Sequence, residues 1–202
     1  METTRGNEQA TASRVVGLGA SAGGLAAVKE VLDGLPSDLP ASLVVVLHLM
    51  ADHPSYLAEI LGRTSPLRVV QATDGQPLEP RAVYVAPPDN HLLVGVDGRL
   101  TLDPSAPVRF VRPSIDLFLG SLADSYDGRA IAVILSGAGN DGAEGVRRVK
   151  AAGGTVLAQT AESAEHESMP EAAAATGAVD SVLPLNEIAE AIVAALSVME
   201  AA

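Results

Sequence analysis

Gly19-Ala20-Ser21-Ala22-Gly23 lies between an apolar run that ends at Leu18 and a helix-like run that begins near Leu25. It spells GxSxG at a strand-to-helix turn, where a serine nucleophile would be displayed. Small neighbours matter there. A sharp turn lifts a side chain clear of the backbone only if adjacent residues lack bulk and tolerate strained dihedrals. Five residues are a short pattern, so its meaning depends on what the rest of the chain supplies.

Outward from that turn, short Val/Ile/Leu runs at 14–18, 42–48, 130–135, 155–158 and 179–183 read as fully buried strands. Such runs belong to a parallel sheet covered on both faces. Helix-like segments fall between and after them at about 25–32, 55–61, 114–122, 143–151, 171–176 and 187–196. The alternation predicts an α/β fold, doubly wound, with a mostly parallel sheet and helices on both faces. The middle differs. Segments 82–85, 91–96 and 99–102, linked by turn pairs such as Asp97-Gly98, read as antiparallel hairpins inserted in the main sheet.

The 202 residues are 48% hydrophobic, enough to bury a real core in one domain. With no Trp, three Tyr and two Phe, that core must be aliphatic. The absence of Cys rules out disulfides, thiolate metal sites and a Cys nucleophile, and no histidine spacing matches a metal signature. A net charge of −12 argues against nucleic acid, which needs clustered Lys and Arg. Residues 1–13 are polar and read as a flexible tail, with one domain over 14–198. No run reaches bilayer-spanning length, so the expectation is a cytoplasmic protein without direct membrane insertion, metal or cofactor.

In a doubly wound sheet, ligands bind beyond the carboxyl ends of the strands. Ser21 follows the first strand, His48 ends the second, and Asp141 lies in Ser136-Gly137-Ala138-Gly139-Asn140-Asp141-Gly142 after the strand ending at Leu135. Each has a plainer reading. Ser21 suits a helix cap, His48 a satisfied core histidine, and Asp141 with Glu144 a capping box for the helix at 143–151. His53, His91 and His166 are weaker candidates. The stretch Gly17-Leu18-Gly19-Ala20-Ser21-Ala22 also matches GxGxxA, the turn of a nucleotide-binding flavodoxin-like module. That alternative needs an acidic residue at the end of the second strand, where Leu47-His48-Leu49 stands instead.

The order Ser, His, Asp differs from the Ser, acid, His order of α/β-hydrolases. Taken together, Gly19-Ala20-Ser21-Ala22-Gly23-Gly24, Val45-Val46-Leu47-His48, Tyr84-Val85-Ala86-Pro87, Arg112-Pro113-Ser114-Ile115-Asp116, Leu135-Ser136-Gly137 with Gly139-Asn140-Asp141-Gly142, and Met169-Pro170 strongly resemble the catalytic domain of chemotaxis protein-glutamate methylesterases. The resemblance covers about 14–196. It implies Ser21 as nucleophile, His48 as general base and acid, and Asp141 as the group that orients and supports the imidazole. It also implies hydrolysis of γ-glutamyl methyl esters on the cytoplasmic helices of chemoreceptors, with glutamine deamidation in many members. An oxyanion hole is required, and Ala22, Ala138, Gly139, Arg112 and Met169 are the candidate oxyanion and substrate residues. A general small-ester carboxylesterase is the other chemical alternative.

The chain departs from the family pattern at Ala22, where Thr is common, at Leu47, where Gln is common, and at Ala138, where Met is common. Family members also often carry an N-terminal receiver domain that controls the catalytic face. Thirteen residues before the domain are too few for one, so the expectation is a stand-alone or excised catalytic domain, regulated by other means or belonging to a pathway other than classical chemotaxis.

Overall fold

A computed structural model describes residues 12–48 and 55–201. The elements alternate along the chain. They are β1 (Val15–Ala20), α1 (Gly24–Asp33), β2 (Ser42–Leu47), α2 (Leu57–Gly62), β3 (Arg68–Gln71), β4 (Ala82–Val85), β5 (His91–Val94) and β6 (Leu100–Asp103). Then follow α3 (Ile115–Tyr126), β7 (Ala130–Ile134), α4 (Ala143–Ala151), β8 (Thr155–Gln159), α5 (Ser168–Ala174), β9 (Ser181–Leu183) and α6 (Leu185–Ala201). Seven strands form one sheet in the order β3-β4-β2-β1-β7-β8-β9, and every pairing within it is parallel.

The period-two alternation of strand side chains divides the core into two layers. Val16, Leu18 and Ala20 of β1 face a layer containing Val28, Val31 and Leu32 of α1 and Ile188 and Ile192 of α6. Val44 and Val46 of β2 face the opposite layer, with Phe118, Leu119 and Leu122 of α3 and Val146 and Val149 of α4. All of these are fully buried, and each large aliphatic or aromatic side chain among them contributes about 1.5–3 kcal/mol by leaving water. Gly17 and Gly19, on the α3 side of β1, carry no side chain because α3 lies directly over them. A Cβ at 17 would sit 2.7 Å from the Phe118 ring, and one at 19 would sit 2.6 Å from Ile115 Cγ2. The glycines of the GxGxxA pattern are therefore spent on helix packing rather than on a phosphate.

The central region departs from the expected arrangement. Segment 82–85 is not part of a hairpin; β4 is a buried parallel strand between β2 and β3. Its Ala-Val-Tyr-Val run obeys the same rule as the other central strands. β3 lies at the sheet edge with Arg68 and Gln71 exposed, so no apolar run announces it. The expected hairpin exists between β5 and β6, but as a separate two-stranded sheet, not an insertion in the main one. It packs on α3, where the Val94 N–H donates to Ser121 Oγ and Ser125 Oγ donates to Val94 O. α5 starts at Ser168, ahead of the helix-like segment at 171–176, with Pro170 in its first turn where no intrahelical N–H is needed. Ala12, within the expected tail, is buried and donates its N–H to Leu78 O.

Strand order reverses about β1. The chain runs from β1 to β2 on one side and later returns to β7 on the other. The crevice beyond the carboxyl ends of β1, β2 and β7 is therefore the topological switch point of the sheet. Among the described residues no helix is long and apolar enough to cross a membrane.

Candidate active site

Ser21 leaves β1 in a turn held by backbone bonds. Its N–H donates to Ser136 O at 3.0 Å, and the Gly24 N–H returns to Ser21 O at 2.9 Å. α1 begins at Gly24 behind Gly23, whose φ of 70° is left-handed and which has no side-chain cap. A Cβ on Gly23 would meet Ser136 Oγ and Glu165 Cβ at 2.8 Å, so this turn admits no larger residue. Ser136, at the end of the neighbouring strand, stitches the turn from below. Its Oγ donates to Ala22 O at 2.9 Å and accepts the His166 N–H at 3.0 Å.

The Ser21 side chain is not a helix cap. Its Oγ lies 3.0 Å from His48 Nδ1. On the far side of the ring, His48 Nε2 lies 2.9 Å from Asp141 Oδ2. The imidazole and the carboxylate are largely shielded, with side-chain exposures of 16% and 9%. The structure thus joins Ser21, His48 and Asp141, from three strand ends, into one hydrogen-bonded chain.

Asp141 also differs from its local reading. It is not the N-cap of α4, which is Gly142, and of the amides that open that helix it takes only the Gly142 N–H, at 3.1 Å. Its carboxylate instead crosses to the start of α3, where Oδ2 accepts the Ile115 N–H at 2.7 Å and Oδ1 accepts the Asp116 N–H at 3.0 Å and the Ser114 hydroxyl at 3.2 Å. Burial pushes its carboxyl up, but hydrogen bonds from His48 and from the amides of Asp116 and Ile115 outweigh it and hold the pKa below the ordinary aspartate value. An ionised carboxylate only accepts, so the His48 proton must sit on Nε2. The Nδ1 lone pair then faces the Ser21 hydroxyl, the arrangement needed to take its proton.

The remaining candidates separate by what their polar groups already do. The Ala22 and Ala138 N–H groups have no acceptor among the described residues. The Gly137 N–H donates to His166 O, and the Gly139 N–H donates to Ser168 Oγ at 3.1 Å, which leaves Gly139 engaged. Met169 is 1% exposed and lies under the loop. A Cβ on Gly137 would meet its Cε at 2.6 Å and Ser21 Cβ at 3.0 Å. Arg112 donates to Pro104 O and Ser105 O and pairs with Asp89, fastening the segment before α3.

Of the other histidines, His53 lies outside the described residues, and His166 is half-exposed beside Glu165. His91, read as a hairpin residue, is wholly buried. Its Nδ1 accepts the Ser114 N–H at 3.0 Å and its Nε2 donates to Ala106 O at 3.2 Å. Sequence reasoning missed Ser114 and His91 as supports of Asp141, because the contact joins segments 23 to 27 residues apart.

A family model described as CheB methylesterase matches residues 16–192. The protein-glutamate methylesterase/protein-glutamine glutaminase of group 3 operon of Rhizobium meliloti (strain 1021) is 40% identical over 180 residues, covering 89% of this chain and 51% of that protein. Protein-glutamate methylesterase/protein-glutamine glutaminase 3 of Anaeromyxobacter dehalogenans (strain 2CP-C) is 45% identical over 178 residues, covering 88% and 52%. The chain therefore spans about half the length of the curated relatives it matches. The crystal structure of the Thermotoga maritima CheB methylesterase catalytic domain superposes with a TM-score of 0.86 at 38% identity, covering 89% of this chain and 97% of that one.

Proposed function

Because the chain belongs to the CheB methylesterase family, we propose that it is a serine hydrolase that removes methyl groups from γ-glutamyl methyl esters on the cytoplasmic helices of chemoreceptors. The relatives' names pair methylesterase with glutaminase, and the same site would deamidate glutamines of those helices. One observation carries the reading: the continuous Ser21–His48–Asp141 chain at the switch point of the sheet.

In the mechanism this geometry supports, Ser21 Oγ attacks the ester carbonyl while its proton passes to His48 Nδ1. Asp141, fixed ionised, stabilises the imidazolium through Nε2–H. The oxyanion of the tetrahedral intermediate is met by the Ala22 and Ala138 N–H groups, and each such donor is worth about a hundredfold or more in rate. Collapse breaks the bond to the methoxy oxygen, which takes the Nδ1 proton and leaves as methanol. Water then attacks the glutamyl acyl-enzyme, gives a proton to Nδ1, and frees the glutamate as Ser21 is reprotonated. Deamidation follows the same course with ammonia as the leaving group.

The test is methanol release from a methylated chemoreceptor fragment. Methanol formed together with free glutamate side chains is expected. Turnover of small esters with none on the receptor fragment would replace the substrate assignment with a general carboxylesterase.

A further inference from the structure

The carboxylate of Asp116 reaches the opposite way from that of Asp141. Asp116 sits in the first turn of α3, yet its Oδ1 accepts the N–H groups of Gly142, Glu144 and Gly145 at 2.9, 3.0 and 2.9 Å. These are the amides that open α4, and no side chain of α4 caps them. Asp141, immediately before α4, takes the opening amides of α3. Two helix N-termini therefore exchange carboxylates, each aspartate binding the first turn of the other's helix, where a negative charge is favoured.

The exchange requires close approach, and the sequence provides it. A Cβ on Gly145 would lie 2.6 Å from Leu119 Cβ and 3.3 Å from Asp116 Cα. Gly142, with φ of 98°, turns the chain from Asp141 into α4. The segment that carries Asp141 is thus flanked by Gly137, Gly139 and Gly142, and Gly137 and Gly139 offer no side chain with which to fix it. The far carboxylate oxygen of Asp116 pairs with Arg109 at 3.3 Å, and the side chain is only 12% exposed.

We propose that Asp116 is a positioning residue for the hydrolytic site: by gathering the three opening amides of α4 it sets the place of Asp141, and through it the ring of His48. Asp116 touches neither the nucleophile nor the imidazole, so its removal acts on the chemical step and not on substrate capture. The assignment rests on the proposed esterase function, and its test separates the two.

Methanol release from the methylated receptor fragment and phosphonate labelling of Ser21 are measured for wild type, Asp116→Asn, Asp116→Ser, Asp116→Ala and Val146→Ala. Asn keeps an oxygen at the Oδ1 position and retains most of the activity. Ser, which suits a helix start but is too short to gather three amides, loses part of it. Ala lowers kcat by about a hundredfold, a loss that a misplacement of about 1 Å can cause, with KM unchanged. Labelling of Ser21 slows in step. Val146→Ala loosens the buried face of α4 without touching the exchanged amides, and keeps kcat. Wild-type kcat in Asp116→Ser or Asp116→Ala, or losses that follow the folded fraction equally in Val146→Ala, would overturn the proposal. If Asp116→Ala does not fold, Asp116→Ser decides. A wild type inert to both ester and phosphonate overturns the esterase reading and this inference with it.

Discussion

Five donors converge on the Asp141 carboxylate: the His48 ring, the Ser114 hydroxyl, and the amides of Ile115, Asp116 and Gly142. Replacing it by Asn leaves one oxygen to accept, but puts an amide group where only an acceptor serves. His48 Nε2–H then loses its partner, and kcat should fall by about 10²–10⁴-fold in the methanol-release assay. The same residue governs acid stability. Its folded pKa lies below the unfolded value, so its contribution is present above the unfolded value of about 3.9 and is lost as pH falls through the folded one. Asp116 has the opposite sign. Burial and the neighbouring Asp141 charge hold its carboxyl up against the pull of the Gly145 and Gly142 amides, so its contribution is present below the unfolded value and is lost as pH rises through the folded one. Thermal melts below about pH 4 should show a shallower loss of stability in Asp141→Asn than in wild type. Equal slopes would mean that Asp141 gains nothing from its partners on folding.

At the scale of elements, the loop after β7 is where packing and chemistry meet. A methyl group on Gly137 presses on the flexible end of Met169, which can yield, and on Ser21 Cβ, which cannot yield without moving the nucleophile. Gly137→Ala should therefore lose activity by about tenfold or more, and shortening Met169 in the same protein should not restore it. Full activity in Gly137→Ala would show that the loop gives way instead. The elements also show where sequence runs out. Central strands such as β1, β2 and β7 were legible because burial on both faces forces uninterrupted apolar runs. β3 was not, since an edge strand with exposed ends needs no such run. Ser21, His48 and Asp141 could be placed at strand ends, and the family motifs tied them together. The partner of each carboxylate could not be read. Asp141 with Glu144 looks locally like the cap of α4, yet apart from the Gly142 N–H, which the two carboxylates share, the amides that each aspartate takes belong to the other helix. Local pattern reveals that a first turn needs an acceptor, while only the packing of α3 on α4 decides which residue provides it.

At the scale of the molecule, the sheet is buried in the middle and partly exposed at its edges, and the site stands on the middle. β1 has paired neighbours on both sides and wholly buried residues throughout, whereas β3 pairs only with β4 and is partly exposed. Hydrogen exchange should reflect this. Amides of β1, β2 and β7 should exchange only through global unfolding, and those of β3 through cheaper local opening. Equal protection across β3 and β1 would contradict that gradient. The strand ends carrying Ser21 and His48, and the loop carrying Asp141, all spring from the buried central strands. This is the support that a site held to fractions of an ångström requires.

The central claim is that Ser21, activated by His48 and Asp141, performs the hydrolysis. It is tested most directly by comparing wild type with Ser21→Ala for methanol release from a methylated chemoreceptor fragment. The wild type should release methanol and leave glutamate, and Ser21→Ala should release none while keeping its circular dichroism. Methanol release retained by Ser21→Ala, or absent from folded wild type, would contradict the account.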